Sequence, residues 1–92
     1  MAQMFIYSIR DCKSGFLTPT CEINDEIAVR NFQHAVLSSE SILQSFSKDF
    51  SLFKLASLDT DSGQVVPIWP VVHLAEASDA LLAAAHASGG DV

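Results

Sequence analysis

The run at residues 4–9, Met-Phe-Ile-Tyr-Ser-Ile, limits most tightly what this chain can fold into. It is rich in aromatic and β-branched residues and reads as a strand. Alternation puts Phe5, Tyr7 and Ile9 on one face and Met4, Ile6 and Ser8 on the other. Both faces are largely apolar, so this is a central strand that needs a neighbour along each edge. The chain has 92 residues, enough for one domain with one modest core. Its hydrophobic share of 49% against 17% charged is too apolar for a disordered chain. A core this small leaves only a few kcal/mol of net stability, and self-association is the natural supplement.

The flanking segments read as follows. Residues 11–15 (Asp-Cys-Lys-Ser-Gly) form a turn in which Gly15 can take a positive φ. The piece to Cys21 continues extended, but Pro19 lacks an N–H, so it is an edge strand or none. Asn24 reads as a helix N-cap, with Asp25 and Glu26 suited to the positive end of the helix dipole. Ala28, Phe32, Ala35 and Val36 make one apolar stripe and predict a helix over about residues 25–37. Glu26 is spaced to pair with Arg30. Residues 42–46 suggest another short helical turn.

Residues 50–58 predict a second long strand. Asp59-Thr60-Asp61-Ser62-Gly63 is a hairpin loop with Gly63 left-handed. Residues 64–69 are its partner, an edge or bulged strand because of Pro67. Pro70 begins the next segment. Leu74, Ala77, Leu81, Leu82 and Ala85 form a helical stripe, with Gly89 as its C-cap. The expectation is a single α+β domain over residues 1–88 and a frayed tail at 89–92. Its small antiparallel sheet carries one helix between strands one and two (about 25–37) and a C-terminal helix (about 74–88).

Charge and chemistry narrow the function. The formal net charge is −6, with only five Lys and Arg, all within residues 1–54 (Arg10, Lys13, Arg30, Lys48, Lys54). Residues 55–92 hold five acids and no cation, so any phosphate-facing surface comes from the N-terminal part. There is no apolar run of membrane-spanning length and no signal-peptide pattern, and the expected compartment is cytosolic. Cys12 and Cys21 read as two free thiols in a reducing compartment, rather than as a redox pair or half of a metal site. His34, His73 and His86 have no metal-ligand spacing. Asp59-x-Asp61 lacks the glycine and glutamate positions of a calcium loop and reads as a turn. No phosphate-cradling or nucleophile-elbow motif occurs, so the expectation is no enzyme, no metal and no cofactor. Trp69 reads as a core or core-edge aromatic, with a stacking platform or oligomer anchor as the other use. Phe5 and Tyr7 beside Arg10 and Lys13 read the same two ways, as core packing or as a base-stacking surface.

The string Tyr7-Ser8-Ile9, followed by Asp11, Lys13 and Phe16, resembles the opening of a small nonstructural protein of the gokushoviruses, tailless single-stranded DNA phages of the microvirus group. The similarity continues at Pro19, Asn24-Asp25 and the spacing Ala28, Arg30, Phe32. It resumes at Asp49-Phe50 and Leu52-Phe53, then at Asp59, Gly63, Pro70 and Leu74, and covers roughly residues 4–82. The chain departs at Ala56 and Ala77, where that family often has Gly, and at Phe53, where Tyr is commoner. The resemblance implies a DNA-binding, non-enzymatic phage protein of the host cytoplasm, acting in single-stranded genome synthesis or packaging.

The residues that would meet nucleic acid are then Arg10, Lys13 and Arg30, with Lys54 and Tyr7 as lesser candidates. The expected partners are single-stranded DNA, a phage or host replication or packaging protein, and further copies of the chain. The alternative is a homo-oligomeric protein–protein module that never touches DNA, favoured by the acidic C-terminal part. A third reading is an acidic mimic of nucleic acid, with Asp59, Asp61, Glu76 and Asp79 as its surface.

Overall fold

The computed structural model describes residues 2–38 and 41–89, with side chains as far as 85. Its elements are β1 (Gln3–Asp11), β2 (Gly15–Phe16), β3 (Thr20–Glu22), α1 (Asp25–Leu37), α2 (Ile42–Ser45), a 3₁₀ turn (Ser47–Asp49), β4 (Phe50–Asp59), β5 (Val65–Glu76) and α3 (Ala77–Gly89). This is the expected α+β mix. The strands form one antiparallel sheet in the order β2-β1-β4-β5, with β3 also paired to β1.

β1 is central, as its two apolar faces require. β4 runs along one edge, while β2 and β3 share the other. The break between β2 and β3 spans Leu17, Thr18 and Pro19, where proline cannot extend the ladder. The hairpin between β4 and β5 closes as expected. Gly63 takes φ 78°, and its N–H donates to the Asp59 carbonyl at 2.7 Å. The Asp59 carboxylate accepts from the N–H groups of Asp61 and Ser62 at 2.9 and 3.4 Å, so this aspartate serves its own turn.

α1 starts where the sequence places it. The Asn24 side chain accepts from the Ile27 N–H at 2.9 Å. Ala28, Phe32 and Val36 are buried and meet Tyr7, Phe50, Leu52, Leu43, Ala77 and Ala80 in the core. The expected Glu26–Arg30 pair does not form; the ion pairs among the described residues are Lys54–Asp25 and His73–Glu76.

Two boundaries differ from expectation. β5 passes through Pro70 and ends only at Glu76, so Leu74 belongs to a strand and the last helix begins at Ala77. The cause is cross-strand pairing: Ala75 and Glu76 lie opposite Leu52 and Ser51, and Leu74 packs against the core from the sheet. Leu74, Ala77 and Leu81 fit helical spacing, but the strand ladder decides the boundary. Pro67 and Pro70 are tolerated because β5 is an outer strand. Gly89 is the last residue of α3 rather than a residue beyond it, and residues 90–92 of the expected tail lie outside the described residues.

The core predicts its own weak point. Phe32 is 3% exposed at the meeting of α1 and the sheet. Phe32→Ala is expected to lower unfolding free energy by about 3–5 kcal/mol. Gln33→Ala, on the exposed side of the same helix, is expected to stay within about 0.5 kcal/mol. Urea unfolding followed by circular dichroism measures both.

Candidate nucleic-acid interface

The two faces of the sheet have different fates. Register puts Phe5, Tyr7, Ile9, Phe50, Leu52 and Lys54 on one face, which the three helices cover. Met4, Ile6, Ser8, Arg10, Ser51, Phe53 and His73 lie on the other.

On the covered face a polar cluster joins helix to sheet. The Tyr7 hydroxyl donates to Asp25 Oδ1 at 2.7 Å, and Lys54 Nζ donates to Asp25 Oδ2 at 3.0 Å. Lys54 Nζ also sits 4.6 Å from the centre of the Phe5 ring, a cation–π contact. Burial pushes the Tyr7 phenol upward, and its bond to the Asp25 carboxylate adds to that. For Asp25, desolvation pushes upward, but the hydrogen bonds from Tyr7 and Lys54 and the Lys54 charge outweigh it. The carboxyl lies below its ordinary value.

On the open face, three rings cross the sheet in a row. Phe16 of β2 meets Phe53 of β4 edge-to-face, with centroids 5.6 Å apart. Phe53 meets His73 of β5 in the same way at 5.3 Å. Phe16 is 46% exposed, and the His73 side chain is 48% exposed. Arg10 lies directly opposite Phe16 in the ladder and is exposed. Glu76 borders the row at the other side, where it holds His73 and accepts from Ser51 Oγ. Lys13, also exposed, lies in the turn that follows β1. Rings with open faces beside a guanidinium can stack bases and attract phosphate.

The five sequence candidates separate accordingly. Arg10 lies beside the ring row, opposite Phe16, whereas Lys13 borders a groove on the helix side with Ile42, Phe46, Asp49 and Phe50. Arg30 is exposed on α1, on the far side of the sheet, so it does not join Arg10. Lys54 is held by Asp25 beneath the helix layer, with its side chain 18% exposed. Tyr7 is completely buried, so its ring presents no face to a ligand, and the stacking role expected of it has no surface here. The burial follows from its face of β1, which looks into the core. Sequence reading missed the row itself. Phe16, Phe53 and His73 are far apart in the chain, and only the strand register aligns them.

Trp69 reverses the expectation that it is a core aromatic, because it is 85% exposed. It sits where residues 68–71 of β5 lie opposite the single residue Leu55. The chain bows outward there, and the indole leaves the sheet surface. Cys12 and Cys21 are both free and exposed. The Cys12 thiol lies 3.4 Å from Asp49 Oδ1, a hydrogen bond that pushes the thiol pKa up and so keeps it protonated. Among the described residues no group of His, Cys, Asp and Glu could hold a metal ion. The four acids of the mimic reading are dispersed. Asp59 and Asp61 sit at the hairpin tip, whereas Glu76 is the last residue of β5, at its other end, and Asp79 lies in α3.

Comparison with known proteins gives one family finding. The model of the phage ORF5 protein family matches residues 4–80. No curated protein and no solved structure matches the chain.

The Asp25 cluster predicts a pH signature. A carboxyl whose folded pKa is lowered stabilises the fold above its unfolded value, near 3.8, and loses that contribution as pH falls through the folded value. Asp25→Asn is expected to cost about 1 kcal/mol at pH 7, because Lys54 loses its partner charge, while solvent at the 41% exposed Asp25 side chain screens the pair. The gap between wild type and variant narrows below pH 4. Urea midpoints at pH 7 and pH 3 measure it, and a gap that is unchanged between them contradicts the assignment.

Proposed function

The chain belongs to the phage ORF5 protein family, and from that premise we propose that it is a non-enzymatic phage protein that contacts single-stranded DNA. It would act in genome synthesis or packaging of a gokushovirus-type phage, in the cytoplasm of the infected bacterium, alone or alongside a replication protein. The observation that carries the reading is the row Phe16, Phe53 and His73 on the open sheet face, with Arg10 beside Phe16. Stacking on such rings tolerates any base, and Arg10 and Lys13 add attraction to the backbone. Binding through two cations on a chain of net charge −6 is weak and fades with salt. No helix among the described residues is long and apolar enough to cross a membrane.

A second reading, a protein–protein module without DNA contact, is favoured by a different observation. Trp69 and its apolar neighbours on β5 stand exposed on the outer strand.

Fluorescence anisotropy with a labelled single-stranded oligonucleotide, across a salt titration, tests the first reading. Saturable binding that weakens with salt is expected. Changing Arg10 and Lys13 together to Ala is expected to reduce the log–log salt slope by roughly 1.4 per chain, from about 0.7 per single-strand phosphate contact. Phe53→Ala is expected to weaken binding by about 1–3 kcal/mol at every salt concentration, with circular dichroism as the check on folding. Absence of binding at low salt overturns direct DNA contact and leaves the protein partner.

A further inference from the structure

The helix-covered side of the sheet holds a cleft that the ring row does not use. It lies between α1 and the edge segment of residues 18–22, and its volume is about 210 Å³. The sequence makes the room. Thr18, Thr20 and Glu22 alternate along the edge segment and so share one side of it. Facing them, α1 presents Ala28 and Ala35 on one helix face, where side chains this small leave space. The buried Phe32 and Leu52 and the half-buried Ile9 close the bottom, so the depth of the cleft is apolar.

The mouth is polar and carries one sign of charge. Thr18, Thr20 and Asn31 are exposed there, beside the half-buried Glu22. Asn31 Nδ2 donates to Glu22 Oε2 at 3.0 Å, which ties the carboxylate to the helix wall. Among the described residues no Lys, Arg or His lines the cleft, and none pairs with Glu22. Its negative charge therefore meets the cleft without a counter-charge.

We propose that this cleft binds a small organic amine, with an apolar body no larger than one ring set against Ile9, Phe32 and Leu52 and an ammonium group paired with Glu22. Size and charge select the occupant. An apolar cavity of about 150 Å³ holds benzene, so this one takes a ring with a short arm, and it is smaller than the roughly 300 Å³ at which sites for drug-sized ligands begin. A bare hydrocarbon would cover the mouth and leave the Glu22 charge desolvated and unpaired. A carboxylate or phosphate would meet Glu22 with like charge. An ammonium group has three donors, enough for Glu22 and the threonine hydroxyls beside it. The cleft and the ring row lie on opposite sides of the sheet, so the inference does not rest on the DNA reading.

The test is a titration of the isotope-labelled whole chain with benzylamine at pH 7, followed by amide NMR spectra. Saturable shifts at residues 18–22 and 28–35 are expected, with a Kd on the order of 1 mM for a ligand this small. Benzyl alcohol keeps the ring and loses the charge. It is expected to shift the same residues and to bind roughly two- to fivefold more weakly, the range of a partly exposed ion pair. Phenylacetate, of opposite charge, is expected to give no shifts there. Glu22→Gln keeps an acceptor for Asn31 and is expected to bind benzylamine no better than benzyl alcohol, with an unchanged circular dichroism spectrum. Ala35→Leu fills the cleft and is expected to abolish binding of both. Wild type that shows no saturable shifts at about 20 mM benzylamine, well above the expected Kd, overturns the proposal. Phenylacetate bound at the same residues as tightly as benzylamine also overturns it. So does a folded Glu22→Gln variant that retains the wild-type preference for benzylamine over benzyl alcohol.

Discussion

The Asp25 carboxylate is the point on which the arrangement of helix and sheet turns. It sits in the first turn of α1, and its two oxygens are taken by side chains from two adjacent strands, Tyr7 of β1 and Lys54 of β4. Each group answers a need of the others. The tyrosine is wholly buried and its hydroxyl requires an acceptor. The lysine is mostly buried and requires a counter-charge. The carboxylate at a helix start is favoured by the dipole there, and Asn24 caps the same turn. The cluster therefore fixes where α1 begins against the sheet, and with it the position of the stripe Ala28, Phe32 and Val36 over Tyr7 and Leu52.

With all three helices drawn to one face, the second face is left to side chains. An antiparallel sheet that faces water normally carries polar residues there. This one carries Met4, Ile6, Phe16 and Phe53, with the polar groups Arg10, Ser51, His73 and Glu76 gathered at one end of the strands. The apolar face and the apolar edge are separate features. The first lies across the strands with the Arg10 guanidinium beside it. The second lies along the last strand and has no charge.

What the sequence made legible follows from the range of the forces involved. The helix at 25–37 was readable because its cap, its acidic first turn and its stripe all lie within the segment. The central place of β1 was readable because both of its faces are apolar. The end of β5 was not, since Leu74 and Ala75 satisfy a helical period and a strand equally; pairing with Leu52 and Ser51 decides between them. Tyr7 and Trp69 were opaque for a related reason. Each is an aromatic in an extended segment, and nothing local states which face meets the helices or where β5 bows away from its neighbour. The ring row was the least legible feature, because it needs the registers of three strand pairings at once.

The charge of the chain argues for how such a face can be used. Of the five cations, Lys54 is spent on the fold, and Arg30 is separated from the open face by the thickness of the sheet. Arg10 remains beside the rings, with Glu76 at the other border of the row, while Lys13 borders a groove on the helix side. Long-range attraction to a polyanion is therefore small, and on the proposed DNA reading contact with a strand would draw on stacking at short range. A surface of that kind discriminates poorly between sequences and holds a strand loosely. Affinity then rises mainly by placing several such surfaces along one strand, since linked sites convert later contacts into intramolecular ones.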